Sequence, residues 1–155
     1  MQLTKQTDYA FRVLIYLGSQ KEDQLTTIQA IADTFAISKN NVMKVVQKLV
    51  SHGFVQSVRG PSGGIKLGKQ KEEINLREVI ELMEVTLQPV NCDVPICRIN
   101  QSCQLRRFLD QAQTKYLEHT EQFTLADLTT KPVQQDIFFL KRNDNQIQYD
   151  GRYLS

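Results

Sequence analysis

Three cysteines, Cys92, Cys97 and Cys103, are the residues of this chain best suited to chemistry. They follow the spacing C-x4-C-x5-C and are the only cysteines among the 155 residues. An odd number of cysteines does not build a framework of disulfides, and structural zinc usually needs a second pair of ligands elsewhere. The two histidines, His52 and His119, do not lie beside the cysteines in sequence. Three closely spaced thiolates can, however, hold three corners of an iron–sulfur cluster.

Two other interpretations of the cysteines stay open. They can be reduced thiols that pack as small apolar groups, or two of them can form a regulatory disulfide without any metal. If they hold a cluster, its fourth ligand is an oxygen, a water molecule or a residue from another chain, because the loop has no fourth thiol.

The segments around the cysteines predict how the loop is held. Residues 85–102 contain two prolines and no helical periodicity, which predicts an irregular loop. A long helix is expected from about Cys103 to Phe123, with an apolar stripe formed by Leu105, Phe108, Leu109, Ala112, Tyr116 and Leu117. This stripe exceeds what a small domain needs. We therefore expect the helix to pack against its twin in a homodimer, or else to fold back on its own domain.

The N-terminal half of the chain has the pattern of a DNA-reading domain. Helices are expected over residues 3–17, 26–35 and 38–52, and a fourth begins at Asn75. The short second helix, a tight turn and the amphipathic third helix form a helix-turn-helix. Two short strands flank the Gly/Pro/Ser turn of residues 59–64 directly afterwards, which predicts a β-hairpin wing.

Candidate DNA contacts lie on the third helix and on the wing. Polar residues of the third helix lie opposite its valine stripe, and Asn, Gln and Lys side chains pair with base edges or phosphates. Glycines in the wing let the backbone approach DNA closely, and Arg59 suits the minor groove. The candidate set is Ser38, Lys39, Asn40, Asn41, Lys44, Lys48, Arg59, Ser62, Gly63, Gly64 and Lys66.

The charge distribution favours the same segment. Residues 34–71 contain seven Lys and Arg but no Asp or Glu, although the net charge of the whole chain is only +2. A basic segment in an otherwise acidic chain is typical of a protein that binds a polyanion. The alternative is a solvated lysine face.

Other function classes lack their sequence signals. The segment GPSGGIK does not have the spacing of a phosphate-binding loop, and no nucleophile elbow or HExxH motif is present, so we do not expect an enzyme. No apolar run approaches the ~20 residues of a membrane span. The N-terminal residues also lack a signal-peptide pattern, which predicts a cytoplasmic protein without membrane contact.

Four segments together resemble a known family. TDYAFRVLIYL, SKNNVMKVVQKL, VRGPSGGIKLGK and NCDVPICRINQSCQLRRFL are similar to the iron–sulfur winged-helix regulators typified by IscR and NsrR, and the likeness covers roughly residues 1–128. The cysteine spacing is similar to that of the NsrR group, the nitric-oxide-sensing repressors. The IscR group resembles C-x5-C-x5-C followed by a histidine three residues on, where this chain has Arg106.

The resemblance implies a homodimeric repressor that binds a palindromic operator in double-stranded DNA. Its [4Fe-4S] or [2Fe-2S] cluster would be bound by Cys92, Cys97, Cys103 and, from the partner subunit, the residue that matches Asp8. Loss or nitrosylation of the cluster would release the DNA and derepress genes for nitric oxide detoxification. The alternatives are an IscR-like sensor of cluster supply and a metal-free thiol switch on the same fold. Asp8 can also pair with Arg12 one helical turn later.

These patterns predict a mainly α-helical fold with a small β-hairpin. We assign residues 1–84 to a winged-helix DNA-binding domain and residues 85–102 to a cluster-binding loop. Residues 103–128 form a dimerisation helix, and residues 129–155 form a weakly patterned C-terminal tail.

Overall fold

The computed structural model describes residues 2–142, and residues 1 and 143–155 lie outside this range. The helices are α1 (Lys5–Gly18), α2 (Ile28–Thr34), α3 (Lys39–Ser51), α4 (Leu76–Met83), α5 (Gln104–Thr120), α6 (Leu125–Leu128) and α7 (Lys131–Arg142). The strands are β1 (Val55–Val58) and β2 (Gly64–Leu67), and a 3-10 turn covers Lys71–Glu73. The predicted fold class, mainly α with a helix-turn-helix and a wing, is confirmed.

Short polar side chains begin the helices of the DNA-reading half. An oxygen of each accepts a hydrogen bond from a backbone N–H in the first helical turn, which would otherwise have no partner. These caps are Thr4, Thr27, Ser38 and Asn75. Each cap stabilises its helix by about 1 kcal/mol. Within residues 2–142, no helix is both long and apolar enough to cross a lipid bilayer.

The core forms where α3 packs on α1. The buried residues of α3 are Val42, Val45, Val46 and Leu49, which recur once per turn and so share one face of the helix. They meet the buried face of α1, which includes Ala10, Val13 and Leu14. Burying each of these larger side chains contributes about 1.5–3 kcal/mol, so this contact orients α3 firmly.

The wing is an antiparallel hairpin joined to the body by backbone hydrogen bonds. Val55 pairs with Leu67 at its base. Thr26, just before α2, extends the sheet: its N–H donates to the carbonyl of Ile65 at 3.0 Å, and its carbonyl accepts from Ile65 N–H at 2.8 Å. Gly64 is required at this approach, because a Cβ there would lie 2.6 Å from the Thr26 carbonyl oxygen.

The cysteine loop and α5 lie outside this core. α5 contains no buried residue, and Leu105 and Phe108 are 61% and 58% exposed. After α5 the chain returns to the domain, where Leu76 N–H donates to the Phe123 carbonyl at 3.1 Å and Leu125 N–H donates to the Ile74 carbonyl at 2.8 Å. The helix is therefore anchored at its C-terminal end while its apolar stripe stays uncovered in the single chain.

The last helix within residues 2–142, α7, is an element that the sequence pattern did not predict. Residues 131–142 fall in the segment interpreted as a weakly patterned tail, yet they form a regular helix. Ile137 is only 4% exposed and belongs to the main core. Lys141 lies over the ring of Tyr16, 4.5 Å from its centroid, and donates to Gln20 Oε1. The rest of the predicted tail, residues 143–155, lies outside the described residues.

We expect Ile137→Ala to lower the free energy of unfolding by about 2–5 kcal/mol, because it leaves a cavity between α7 and the domain. Gln135→Ala on the exposed face of the same helix is the matched control, with an expected change within about 0.5 kcal/mol. Urea unfolding followed by circular dichroism measures both. Equal effects of the two substitutions would show that α7 does not belong to the folded core.

Candidate nucleic-acid interface and cysteine loop

The recognition surface of α3 is polar and free of acidic residues. With its valine face buried, α3 exposes Lys39, Asn40, Lys44 and Gln47, while Asn41 and Lys48 are half-buried. Ser38 at the N-terminal end is exposed, and its Oγ accepts from Asn41 N–H at 3.3 Å. The free N–H groups and positive end of a helix N-terminus favour phosphate at this end.

Met43 is a residue of this surface that the sequence interpretation missed. It is 38% exposed on α3 and lines, with Gln47 and Arg59, an open groove between α3 and the wing. The available signal was its position: Met43 follows Asn40 by three residues and precedes Gln47 by four, so it lies on the polar face. An apolar side chain there can contact a thymine methyl group.

The tip of the wing is exposed and tightly turned. Arg59 and Ser62 are exposed, and Gly60 has a positive φ of 114°, which favours glycine. The Gly63 N–H donates to the Gly60 carbonyl at 2.9 Å. A Cβ on Gly63 would lie 2.3 Å from the Val58 carbonyl oxygen, so this turn admits no side chain there.

Lys66 differs from the other basic candidates because it already has a partner. Its Nζ donates to Asp23 Oδ1 in the loop between α1 and α2. An ion pair this exposed contributes only about 0.2–1 kcal/mol, since water and salt screen it. A phosphate can therefore replace Asp23 at little cost, and Lys66 stays a candidate DNA contact.

The three cysteines lie in one loop between α4 and α5. Cys97 N–H donates to the Cys92 carbonyl at 3.0 Å, which closes a turn that contains the cis peptide bond Val94–Pro95. Cys103 stands at the N-cap position of α5. All three are free cysteines, not joined in a disulfide, and all three are half-buried. The loop thus presents them without sealing them in the core.

Arg106 occupies the position of the missing histidine and ties the loop to α5. Its Nη1 donates to Asn100 Oδ1 at 2.5 Å, and its guanidinium lies 3.9 Å from Asp93 and 3.8 Å from Asp110. A guanidinium is always protonated and has no lone pair to offer a metal. Arg106 therefore holds the shape of the loop and is not a ligand.

The loop offers three thiols, and thiolates are the ligand type that iron–sulfur clusters use. Across residues 2–142, no three His, Cys, Asp or Glu side chains lie close enough together to hold one metal ion. A cluster takes one thiolate at each of several irons, so its ligands surround it without meeting at one point. Three half-buried thiols in one loop match this requirement in type and in number.

Asp8, the residue matched to the fourth ligand, is paired within its own helix. Arg12 Nε donates to Asp8 Oδ1 at 3.0 Å, and Arg12 Nη2 lies 3.0 Å from Asp8 Oδ2. The guanidinium also lies 5.9 Å from the centre of the Phe35 ring, at the turn of the helix-turn-helix. Both side chains are nearly half exposed, so the carboxylate is accessible to a second chain.

The helix-turn-helix, the wing and the acid-free surface between them define a winged-helix DNA-binding protein. Residues 3–131 match the Rrf2 family, described as iron-dependent transcriptional regulators, and the chain belongs to this family. Transcription regulation is therefore the role of the class to which this chain belongs.

Solved structures share this fold. CymR, the global cysteine regulator of B. subtilis, is 24% identical, with a TM-score of 0.64 over 83% of this chain and 96% of that chain. A transcriptional regulator from Listeria innocua is 22% identical, with a TM-score of 0.71 over 83% and 85%. T. potens IscR is 17% identical, with a TM-score of 0.64 over 96% and 94%. Identities this low establish the fold alone.

We expect Lys44→Ala to weaken DNA binding for every sequence tested and to lower the slope of log K against log salt by about 1, because one phosphate contact is lost. Lys131→Ala, which removes an exposed lysine at the start of α7, is the control. Fluorescence anisotropy over a salt series measures both. An unchanged slope for Lys44→Ala would exclude a phosphate contact by that residue.

Proposed function

We propose that this regulator is a homodimeric repressor whose three cysteines hold an iron–sulfur cluster, and that nitric oxide is its signal. One observation carries the proposal: three free, half-buried cysteines share a single loop between the DNA-binding domain and α5. The loop is thus joined directly to the DNA-binding domain and to α5. In a dimer, the relative position of these two parts would set the distance between the two DNA-reading surfaces.

The DNA contacts follow from the exposed face of α3 and from the wing. The N-terminal end of α3 enters the major groove, where the amides of Asn40 and Asn41 can read adenine edges and Lys44 takes phosphate or guanine. Arg59 at the wing tip reaches the neighbouring minor groove. Lys39, Lys48 and Lys66 add positive charge around this surface.

The dimer would be formed by the uncovered stripe of α5. Leu105, Leu109, Ala112 and Tyr116 recur at the three- and four-residue spacing of a helix-pairing seam, and each of them keeps part of its surface exposed in the single chain. A second copy related by a twofold axis covers the stripe with the same residues. Two such chains place two α3 helices about 34 Å apart on a palindrome.

We expect Phe108→Glu to weaken the dimer at least about tenfold, which corresponds to about 1.4 kcal/mol, because it places an unpaired charge in the apolar stripe of α5. Thr114→Glu puts the same charge on the opposite side of α5 and should leave the dimer intact. Sedimentation velocity at several concentrations measures both. A Phe108→Glu protein that remains dimeric would place the interface elsewhere.

The cluster ligands would be Cys92, Cys97 and Cys103 of one chain and Asp8 of the partner subunit. When bound, the cluster supplies iron that reacts with nitric oxide. Asp8 then has two alternative partners, the cluster of the other chain or its own Arg12, which lies one turn away. A carboxylate oxygen is a weaker ligand for such iron than a thiolate, so this link between subunits is the one released most easily.

The nitric oxide assignment is supported by the cysteine spacing and by Arg106. The first spacing of four residues and the absence of a histidine at position 106 are similar to the NsrR group and differ from the IscR group. Arg106 is engaged with Asn100, Asp93 and Asp110 and cannot replace the histidine as a ligand.

We expect protein reconstituted without oxygen, with iron and sulfide, to be brown and to bind an operator selected from random DNA. Substoichiometric nitric oxide should bleach the visible band and release the DNA. Cys97→Ser should remain colourless, and Asp8→Ala should change the visible spectrum. Absorption and anisotropy are recorded on the same samples.

The other outcomes separate the alternatives. A coloured protein that keeps its DNA in nitric oxide but loses it on iron depletion would support a sensor of cluster supply. A colourless protein that releases DNA only with peroxide would support the thiol switch. Either result would overturn nitric oxide as the signal, and the second would also overturn the cluster.

A further inference from the structure

Glu84 stands where α4 ends and the cysteine loop begins, and it is bound to the first turn of α1. Its Oε1 accepts three hydrogen bonds: from Thr4 N–H at 2.8 Å, from Thr4 Oγ1 at 3.1 Å and from Thr7 Oγ1 at 2.5 Å. The donors are 77 and 80 residues away in sequence. One carboxylate oxygen therefore joins the root of the loop to the start of the domain.

This contact is charged and partly shielded from water. Burial by itself raises the pKa of Glu84, but the hydrogen bonds from Thr7 and Thr4, together with the charge of Lys48, bring it below its usual value. Thr7 is fully buried, and Glu84 is half-buried. Glu84 is thus a carboxylate at neutral pH, and hydrogen bonds to a charged acceptor are stronger than those between neutral groups.

Two further elements interact electrostatically with Glu84. Lys48 lies on α3, the recognition helix, and its charge acts on the Glu84 carboxylate. Tyr116 lies on α5, and its pKa is raised by burial and by the negative charge of Glu84. Helices α1, α3 and α5 therefore each contribute a polar group to the surroundings of this one side chain.

The chain leaves the body of the protein directly after Glu84. Val85 is 97% exposed, and the segment continues to Cys92 as an exposed or half-buried loop. Among the described residues, Glu84 is the last one before the cysteines whose side chain is hydrogen-bonded to the DNA-binding domain.

We infer that Glu84 is a positioning residue that transmits the state of the cysteine loop to α1 and, through the contact of α1 with α3, to the DNA-reading surface. The inference rests on the proposed function, because it needs a loop whose state changes. It adds a specific connection: the first turn of α1 would be held by its own loop through Glu84 and by the partner's loop through Asp8.

The test compares Glu84→Gln with Glu78→Gln, which removes the same charge from an exposed position of α4. For each protein we measure the dissociation constant for operator DNA with and without the reconstituted cluster, the visible absorption and the thermal midpoint. We expect wild type and Glu78→Gln to show the same ratio of the two constants, at least about fivefold. Glu84→Gln should load the cluster equally well but bring that ratio close to one.

Thr7 supplies an independent variant of the same contact. Thr7→Val removes the shortest of the three hydrogen bonds to Glu84 and should bring the ratio towards one, whereas Thr7→Ser keeps the hydroxyl and should keep the wild-type ratio. Because both changes break one contact, the double variant Glu84→Gln/Thr7→Val should be no worse than either single variant.

The outcomes distinguish this inference from the proposed function. A wild-type protein without a cluster, or with equal DNA affinity in both states, would overturn the proposed function and the inference with it. A wild type with a clear ratio that Glu84→Gln retains would overturn the inference alone. A lower thermal midpoint of Glu84→Gln with an unchanged ratio would also overturn it, because the residue would then serve stability only.

Discussion

Burial of the apolar face of α3 against α1 fixes the direction in which the polar face of α3 points. Val42, Val45 and Leu49 are fully buried, so α3 cannot rotate without exposing apolar surface to water. Rotation would also carry Asn40 and Lys44 away from a bound groove. The wing depends on the same body, since its strand β2 is hydrogen-bonded to Thr26. The packing of the domain itself therefore shapes the DNA-reading surface, without a contribution from a partner chain or a bound group.

The opposite holds for the half of the chain that carries the cysteines. α5 has no buried residue, and the loop before it shows its three thiols half-buried. Apolar surface of this extent is stable in water when another surface covers it. A partner chain or a bound group can consequently change the position of α5 and the loop relative to the DNA-binding domain. One protein thus combines a rigid DNA-binding domain with a cysteine loop and an α5 helix whose position can vary.

Sequence periodicity predicted the elements whose burial is set locally, and it failed where burial is set by distant contacts. The stripes of α1 and α3 repeat once per turn, and the pairing of Asp8 with Arg12 is one turn long, so both could be foreseen. In α7 the apolar residues Val133 and Ile137 pack against the core while Phe138 and Phe139 are largely exposed, so the apolar run has no helical period.

Contacts between remote residues left no signal in the sequence. Lys66 and Asp23 are 43 positions apart, and Glu84 and Thr7 are 77 apart. Each pair forms because whole elements pack together. The spacing of residues within one element carries no information about such packing. The path of the cysteine loop is of the same kind: spacing identifies three thiols in one segment, but how they are oriented around a bound group depends on tertiary contacts.

The first turn of α1 explains how the DNA-binding domain can be coupled to the cysteine loop and α5. Thr4 caps this turn, and the hydroxyl groups of Thr4 and Thr7 donate hydrogen bonds to Glu84. Asp8 lies on the accessible side of the same turn. A force applied at this turn acts on α1 as a rigid body, because the helix is continuous to Gly18 and its buried face is packed on α3. Small movements at one end of such a helix shift its packed partner, since close-packed cores do not absorb them. Control of transcription would then need only the making and breaking of contacts at one helical turn.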